Sequence, residues 1–185
     1  MKLLITAFQP FDNRETNVSK EVVDKLDTSN MPFIIIKQTL PVSLVSSFLA
    51  IKKTIEEEKP DVILLCGEAI SRRKISLELE AKNYVGRSID PLDEIRTPNH
   101  QVIENGPSKI TSIFPINYLQ NLLFTNLVQS QISTDAGSYI CNALYYQVMY
   151  YYPKISCLFI HFPNPTYHLS IDHMIKAIDI TIQNL

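Results

Sequence analysis

Apolar runs of strand length alternate along this chain with stretches of helical period, and that order restricts the fold more than any other feature. Lys2–Thr6, Phe33–Lys37, Asp61–Cys66 (DVILLC) and Ile155–Phe162 (ISCLFIHF) are short, continuous and β-rich. Between them apolar residues return every three or four positions. Val22, Val23 and Leu26 follow Asn17-Val18-Ser19-Lys20, and Leu44, Val45, Phe48, Leu49, Ile51 and Ile55 lie within Ser43–Glu58. Pro115–Val128, Tyr139–Tyr151 and Ser170–Asn184 continue the helical pattern, with Ser130–Ser133 as a further short strand. Strands apolar throughout need cover on both faces. The alternation therefore predicts an α/β fold: a single domain over residues 1–185, built as a three-layer α/β/α sandwich around a mostly parallel twisted sheet.

Three local expectations accompany that reading. Gly67 is expected to end the DVILLC strand. Lys74–Lys82 alternates, with Ile75, Leu77, Leu79 and Ala81 on one side and Ser76, Glu78, Glu80 and Lys82 on the other. This predicts one strand with one wet or functional face. Residues 84–112 are polar and carry Pro91, Pro98, Gly106 and Pro107; a loop of this length in a compact domain is usually functional or mobile.

Composition narrows the function. Only 4 of 185 residues are glycine, about 2% against a usual share of about 7%. No GxGxxG or GxxxxGK[ST] loop is present, and neither GxSxG, CxxC nor HExxH occurs. His168 and His173 lie out of phase for one helical face, so no metal or cofactor is expected. A formal charge of −2 without a basic block argues against nucleic acid. No apolar run approaches the roughly 18 residues of a membrane span, and the apolar N-terminus is too short for a signal segment. Cysteines at 66, 141 and 157 are odd in number and scattered. Together these predict a cytoplasmic, reduced compartment.

A thiol, an imidazole and a carboxylate remain. Cys141 follows the turn Ser133-Thr134-Asp135-Ala136-Gly137-Ser138 at the start of a helical stretch. There the free N–H groups and the positive dipole end favour a thiolate and could hold an oxyanion; the alternative is a cysteine that simply packs. His161 closes the strand Ile155–Ile160, where ligands gather beyond strand ends. It reads as a catalytic base or as a hydrogen-bonded histidine at a strand end. Glu78 shares a face with Ser76 and Glu80, for which a solvated charged face is the commoner explanation. Cys66 and Cys157 lie inside apolar runs and read as core thiols.

In order, these segments form a pattern. Thr6-Ala7-Phe8-Gln9-Pro10-Phe11 followed by Asn17, Leu40-Pro41-Val42, Lys59-Pro60-Asp61 through Gly67, Arg72 with Ile75-Ser76-Leu77-Glu78, Asn83, Glu104-Asn105-Gly106-Pro107, Asp135 through Cys141, and Phe159-Ile160-His161-Phe162-Pro163 run in register along the chain. The pattern resembles the pyroglutamyl peptidase I (pyrrolidone-carboxylate peptidase) family of cysteine peptidases. The resemblance implies a triad of Cys141 as nucleophile, His161 as base and Glu78 as the acid that orients the imidazole. It implies backbone oxyanion donors around Gly137–Cys141, and ring-sandwiching by Phe8 and Phe11. It also assigns Asn17, Val42, Glu68, Ile89, Tyr139 and Ile140 to the substrate pocket. The implied substrates are peptides with N-terminal pyroglutamate, and the implied assembly is a homo-oligomer, tetramer or dimer. Departures cluster around the pocket: Ala7, Asp12-Asn13 and Glu68 stand where the family pattern has glycine, two glycines and often glutamine, and Arg87-Ser88 shifts an arginine by one place. A carboxylate at Glu68 would repel a lactam carbonyl or attract a free ammonium. That leaves a related thiol hydrolase with altered N-terminal specificity, or a weakly catalytic homologue binding a lactam or a partner, as the alternatives.

Overall fold

The computed structural model describes residues 1–29, 31–86 and 100–185. Its main sheet has the order β2-β1-β3-β8-β4-β7, formed by Ile34–Leu40 (β2), Lys2–Phe8 (β1), Val62–Glu68 (β3), Ser156–Phe162 (β8), Ile75–Glu78 (β4) and Ser130–Ser133 (β7). All neighbouring pairs are parallel except β4 with β8. The expected mostly parallel α/β architecture is the one observed.

Period-2 alternation inside wholly apolar strands divides the core into two layers. Leu3 and Ile5 of β1, Leu64 and Cys66 of β3, and Leu158 and Ile160 of β8 pack with helices α1 (Val18–Lys25), α3 (Ile116–Thr125) and α5 (Ile171–Gln183). Leu4 and Phe8, Ile63 and Leu65, and Cys157 and Phe159 face the other way, toward α2 (Leu44–Glu58) and α4 (Ile140–Tyr151). Cys66 and Cys157 are core thiols. Local chemistry sets the helix limits. Asn17 caps α1 by accepting from the Ser19 amide, and Ser43 caps α2 by accepting from Ser46. α2 stops at left-handed Lys59, whose successor Pro60 cannot extend a helix.

Two expectations need correction. Gly67 does not end β3: the strand runs through it to Glu68, in register with His161 and Phe162 of β8. Lys74–Lys82 is two strands rather than one. At Leu79 the amide donates to the Ser133 carbonyl and the carbonyl accepts from Ser112. The chain thereby leaves the main sheet, and Glu80–Lys82 (β5) pairs antiparallel with Lys109–Thr111 (β6). Of the wet or functional face expected here, β4 shows no wet one. Ser76 and Glu78 are fully buried, because β4 lies between β8 and β7 beneath α4. The loop expected over 84–112 contains β6, and its residues 87–99 lie outside the described residues.

Candidate active site

Sheet register brings Glu78 and His161 together. In the antiparallel β4–β8 pair, Ser76 lies opposite His161 and Glu78 opposite Phe159, so Glu78 and His161 are diagonal neighbours on one face. Such diagonals are within reach of long side chains. Here His161 Nδ1 lies 2.8 Å from Glu78 Oε1. Oε1 acts as an acceptor, as it does toward Arg72; the matching tautomer carries the proton on Nδ1 and leaves Nε2 a lone pair. Glu78 is 0% and His161 3% exposed. Burial lowers the imidazole's proton affinity below its ordinary range; the Glu78 carboxylate raises it, and the Arg72 cation lowers it further.

Cys141 enters from the layer above, as the second residue of α4. Tyr139, at the N-cap, makes no side-chain cap bond. The turn leading in is fixed by Asp135, whose Oδ1 accepts from the Gly137 amide at 3.2 Å. Gly137 has φ +87°, a conformation that strains any L side chain. Below, a Cβ on Gly67 would meet the Cys141 sulfur at 3.1 Å, so the bare backbone of β3 gives the sulfur its seat. Burial pushes the Cys141 thiol up to about 12; the Glu78 charge adds to this, while the residue's own amide and Arg72 oppose it. The helix terminus therefore acts in the expected direction but is outweighed.

These groups open onto a cavity of about 690 Å³. Phe8, Phe11, Asn17, Val42, Glu68, Gly137, Tyr139, Ile140, Cys141 and His161 all line it. Glu78 stands behind His161, and Ile89 lies outside the described residues. Asn17 is committed to structure: Oδ1 accepts from Ser19 and Nδ2 donates to the Gln9 carbonyl. Glu68 is committed as well. Its carboxylate accepts both arms of the Arg14 guanidinium, and Oε2 accepts the Val18 amide at 2.8 Å. Asp12 and Asn13 have φ of 53° and 57°, so the tight turn implied by two glycines persists, built from residue types that tolerate left-handed backbone.

Sequence reasoning gave no role to three residues beside this site. Arg72 donates to Glu78 Oε1 and to the Asp135 carbonyl, both at 2.6 Å. Arg14 neutralises Glu68 and sits 5.8 Å from the Phe11 ring centroid. Asn142, fully buried beside Cys141, holds the amide and carbonyl of Lys82 and the Tyr84 carbonyl. Two of them carried a signal in the sequence: an arginine six places before Glu78 and an asparagine directly after Cys141.

Among the described residues no group of three His, Cys, Asp or Glu side chains is placed to hold a metal, and no helix is long and apolar enough to cross a membrane.

A family model described as pyroglutamyl peptidase matches residues 1–182. A pyrrolidone-carboxylate peptidase of Brachyspira hyodysenteriae is 32% identical, with 99% of this chain and 98% of that protein aligned. One of Bacillus licheniformis is 31% identical over 97% of this chain and 89% of its own length. Among solved structures, pyroglutamyl peptidase I of Bacillus amyloliquefaciens has a TM-score of 0.88 at 26% identity, covering 98% of this chain and 94% of that one. A variant pyrrolidone carboxyl peptidase of Pyrococcus furiosus gives 0.89 at 26% identity, covering 99% and 97%. A match that runs from the first strand into the last helix, in both sequence and fold, means that the chain belongs to the pyroglutamyl peptidase family.

Proposed function

We propose that the chain removes N-terminal pyroglutamyl residues from peptides by thiol catalysis, with Cys141 as nucleophile, His161 as general base and acid, and Glu78 as the group that orients His161. One observation carries the reading: a sulfur at a helix start and an imidazole backed by a buried carboxylate line the same largely apolar cavity.

Burial raises the Cys141 thiol and lowers the His161 imidazole, so it favours the neutral pair before substrate arrives. As a substrate carbonyl approaches, the Sγ–H proton passes to His161 Nε2 and the sulfur electron pair forms the S–C bond. The carbonyl oxygen takes the displaced pair, and amides at the open start of α4 offset its charge. The intermediate collapses, the C–N bond breaks, and the imidazolium gives its proton to the departing amine. Water then attacks the thioester with the same imidazole as base; pyroglutamate leaves, and the thiol regains its proton. Glu78 holds the Nδ1–H tautomer throughout and offsets the imidazolium when it forms.

A pyroglutamyl ring is a small neutral lactam, and the wall formed by Phe8, Phe11, Val42 and Ile140 suits its apolar body. Glu68 supplies no anchor for a free ammonium, because Arg14 and the Val18 amide occupy its carboxylate. That favours lactam recognition over altered specificity for a free N-terminus.

The test is steady-state hydrolysis of pyroglutamyl, alanyl and glutamyl fluorogenic amides by the chain and by Cys141→Ala. Hydrolysis of the pyroglutamyl amide alone is expected, with kcat falling at least about 10³-fold in the variant. A Cys141→Ala enzyme that retains its rate would overturn the mechanism. Preference for the alanyl amide would overturn the specificity.

A further inference from the structure

We propose that Arg72 is a positioning residue of this peptidase: its guanidinium holds the Glu78 carboxylate in place behind His161 and, with its other arm, latches the turn that presents Cys141. The inference rests on the roles proposed above for Cys141, His161 and Glu78, and gives a role to a residue those steps do not use.

Glu78 needs a countercharge. His161 Nδ1 and Arg72 Nη1 converge on Oε1, at 2.8 Å and 2.6 Å. Oε2 is buried without a hydrogen-bond partner among the described residues. A carboxylate so enclosed needs a cation in contact to offset its charge. His161 is ill suited to provide it, because burial lowers the imidazole's proton affinity. Among the described residues, the other charged groups around the site are engaged elsewhere. Arg14 is paired with Glu68 on β3, and the Lys82 ammonium lies 3.2 Å from the Asp135 carboxylate. From α4, Tyr145 contributes a hydroxyl to the Glu78 carbonyl and Cys141 a neutral thiol. Arg72, with a side chain only 19% exposed, is the cation in contact with Glu78 among the described residues.

The other arm of Arg72 is the latch. Arg72 Nη2 donates to the Asp135 carbonyl at 2.6 Å. Asp135 opens the turn in which Gly137 adopts its positive φ, and that turn leads into the first turn of α4. One rigid planar group thus sets the separation between the acid behind the base and the loop carrying the nucleophile. Lysine, with a single charged nitrogen, cannot span both acceptors in this geometry.

The test uses the full chain with Arg72→Lys and Arg72→Met. Readouts are kcat and KM on a pyroglutamyl amide, the pH profile of kcat/KM, the pH midpoint of Cys141 alkylation by iodoacetamide, and the folded fraction from urea unfolding. For Arg72→Met, kcat per folded enzyme should fall about 10- to 100-fold, with KM within about threefold. The acid limb and the alkylation midpoint should both move to higher pH, because the lost cation had disfavoured the imidazolium and favoured the thiolate. Arg72→Lys should keep both midpoints near the parent's while losing most of the rate. Parent-like kcat in Arg72→Lys, or unchanged midpoints in folded Arg72→Met, overturns the proposal. If Arg72→Met does not fold, the rate and midpoints of Arg72→Lys decide alone. Activity surviving in Cys141→Ala would instead overturn the underlying assignment, a separate and distinguishable failure.

Discussion

Glu68 shows why a residue's identity is not yet its role. Its acidic side chain, in a segment whose pattern otherwise resembles the family's, raises the prospect of an anionic pocket that selects free amines. In the structure the carboxylate is 1% exposed, saturated by the two arms of Arg14 and the amide of Val18. The charge is spent on fixing the start of α1 and the Phe11 turn. Glu68→Gln should therefore cost stability, about 1–3 kcal/mol for the lost charge-assisted bonds, as urea unfolding would read. The ratio of kcat/KM for pyroglutamyl over alanyl amides should stay within about threefold. A large rise in that ratio would mean that the carboxylate faces the substrate after all. At this scale the sequence makes Cys141 and His161 legible as candidates, since each lies at an element edge. Glu78 is less so: alternation cannot distinguish a solvated face from one sealed beneath a helix. Arg72 is hidden further, because its partners are 6 and 63 residues away.

The strands and helices were more legible than the breaks between them. Helices α1, α2, α3, α4 and α5 lie within the stretches their periodicity marks, because caps such as Asn17 and Ser43 and the stop at Lys59-Pro60 are local chemistry. The division of Lys74–Lys82 is not local; it depends on the Leu79 amide donating to the Ser133 carbonyl and the Leu79 carbonyl accepting from the Ser112 amide. Gly67 misleads for a similar reason. Glycine usually ends a strand, yet here it continues one, because a side chain would strike what lies above. An ideal Cβ would sit 2.8 Å from the Phe159 ring and 3.1 Å from the Cys141 sulfur. Gly67→Ala should destabilise the fold by about 1–3 kcal/mol through overpacking. It should also displace the sulfur, with kcat falling about 10-fold or more. Denaturation and steady-state kinetics on the same preparation check both. Parent-like values would show that β3 does not set the sulfur's position.

Across the whole molecule the burial that builds the site also sets its pH range. His161 lies in the sheet with its proton affinity lowered, chiefly by burial. Above the unfolded value of about 6.5 both states are neutral and this group adds no pH dependence. As pH falls below that, the unfolded chain binds the proton first and stability declines, by up to about 1.4 kcal/mol per pH unit for one site. The cysteines act with the opposite sign. Burial raises the thiols of Cys66, Cys141 and Cys157. Above the unfolded value of about 8.5 the unfolded chain loses protons that the folded state keeps, and stability declines again. The sheet joins strands from both ends of the chain, with β1 and β8 flanking β3, and we propose that it unfolds as one cooperative unit. Urea unfolding between about pH 5 and 10 should then give a dome with its top between about 6.5 and 8.5. Far-ultraviolet dichroism and tyrosine fluorescence should report coincident transitions. His161→Gln should flatten the acid side of the dome and leave the alkaline side in place. An acid side as steep in that variant as in the parent would show that the buried imidazole is not what makes the fold sensitive to acid.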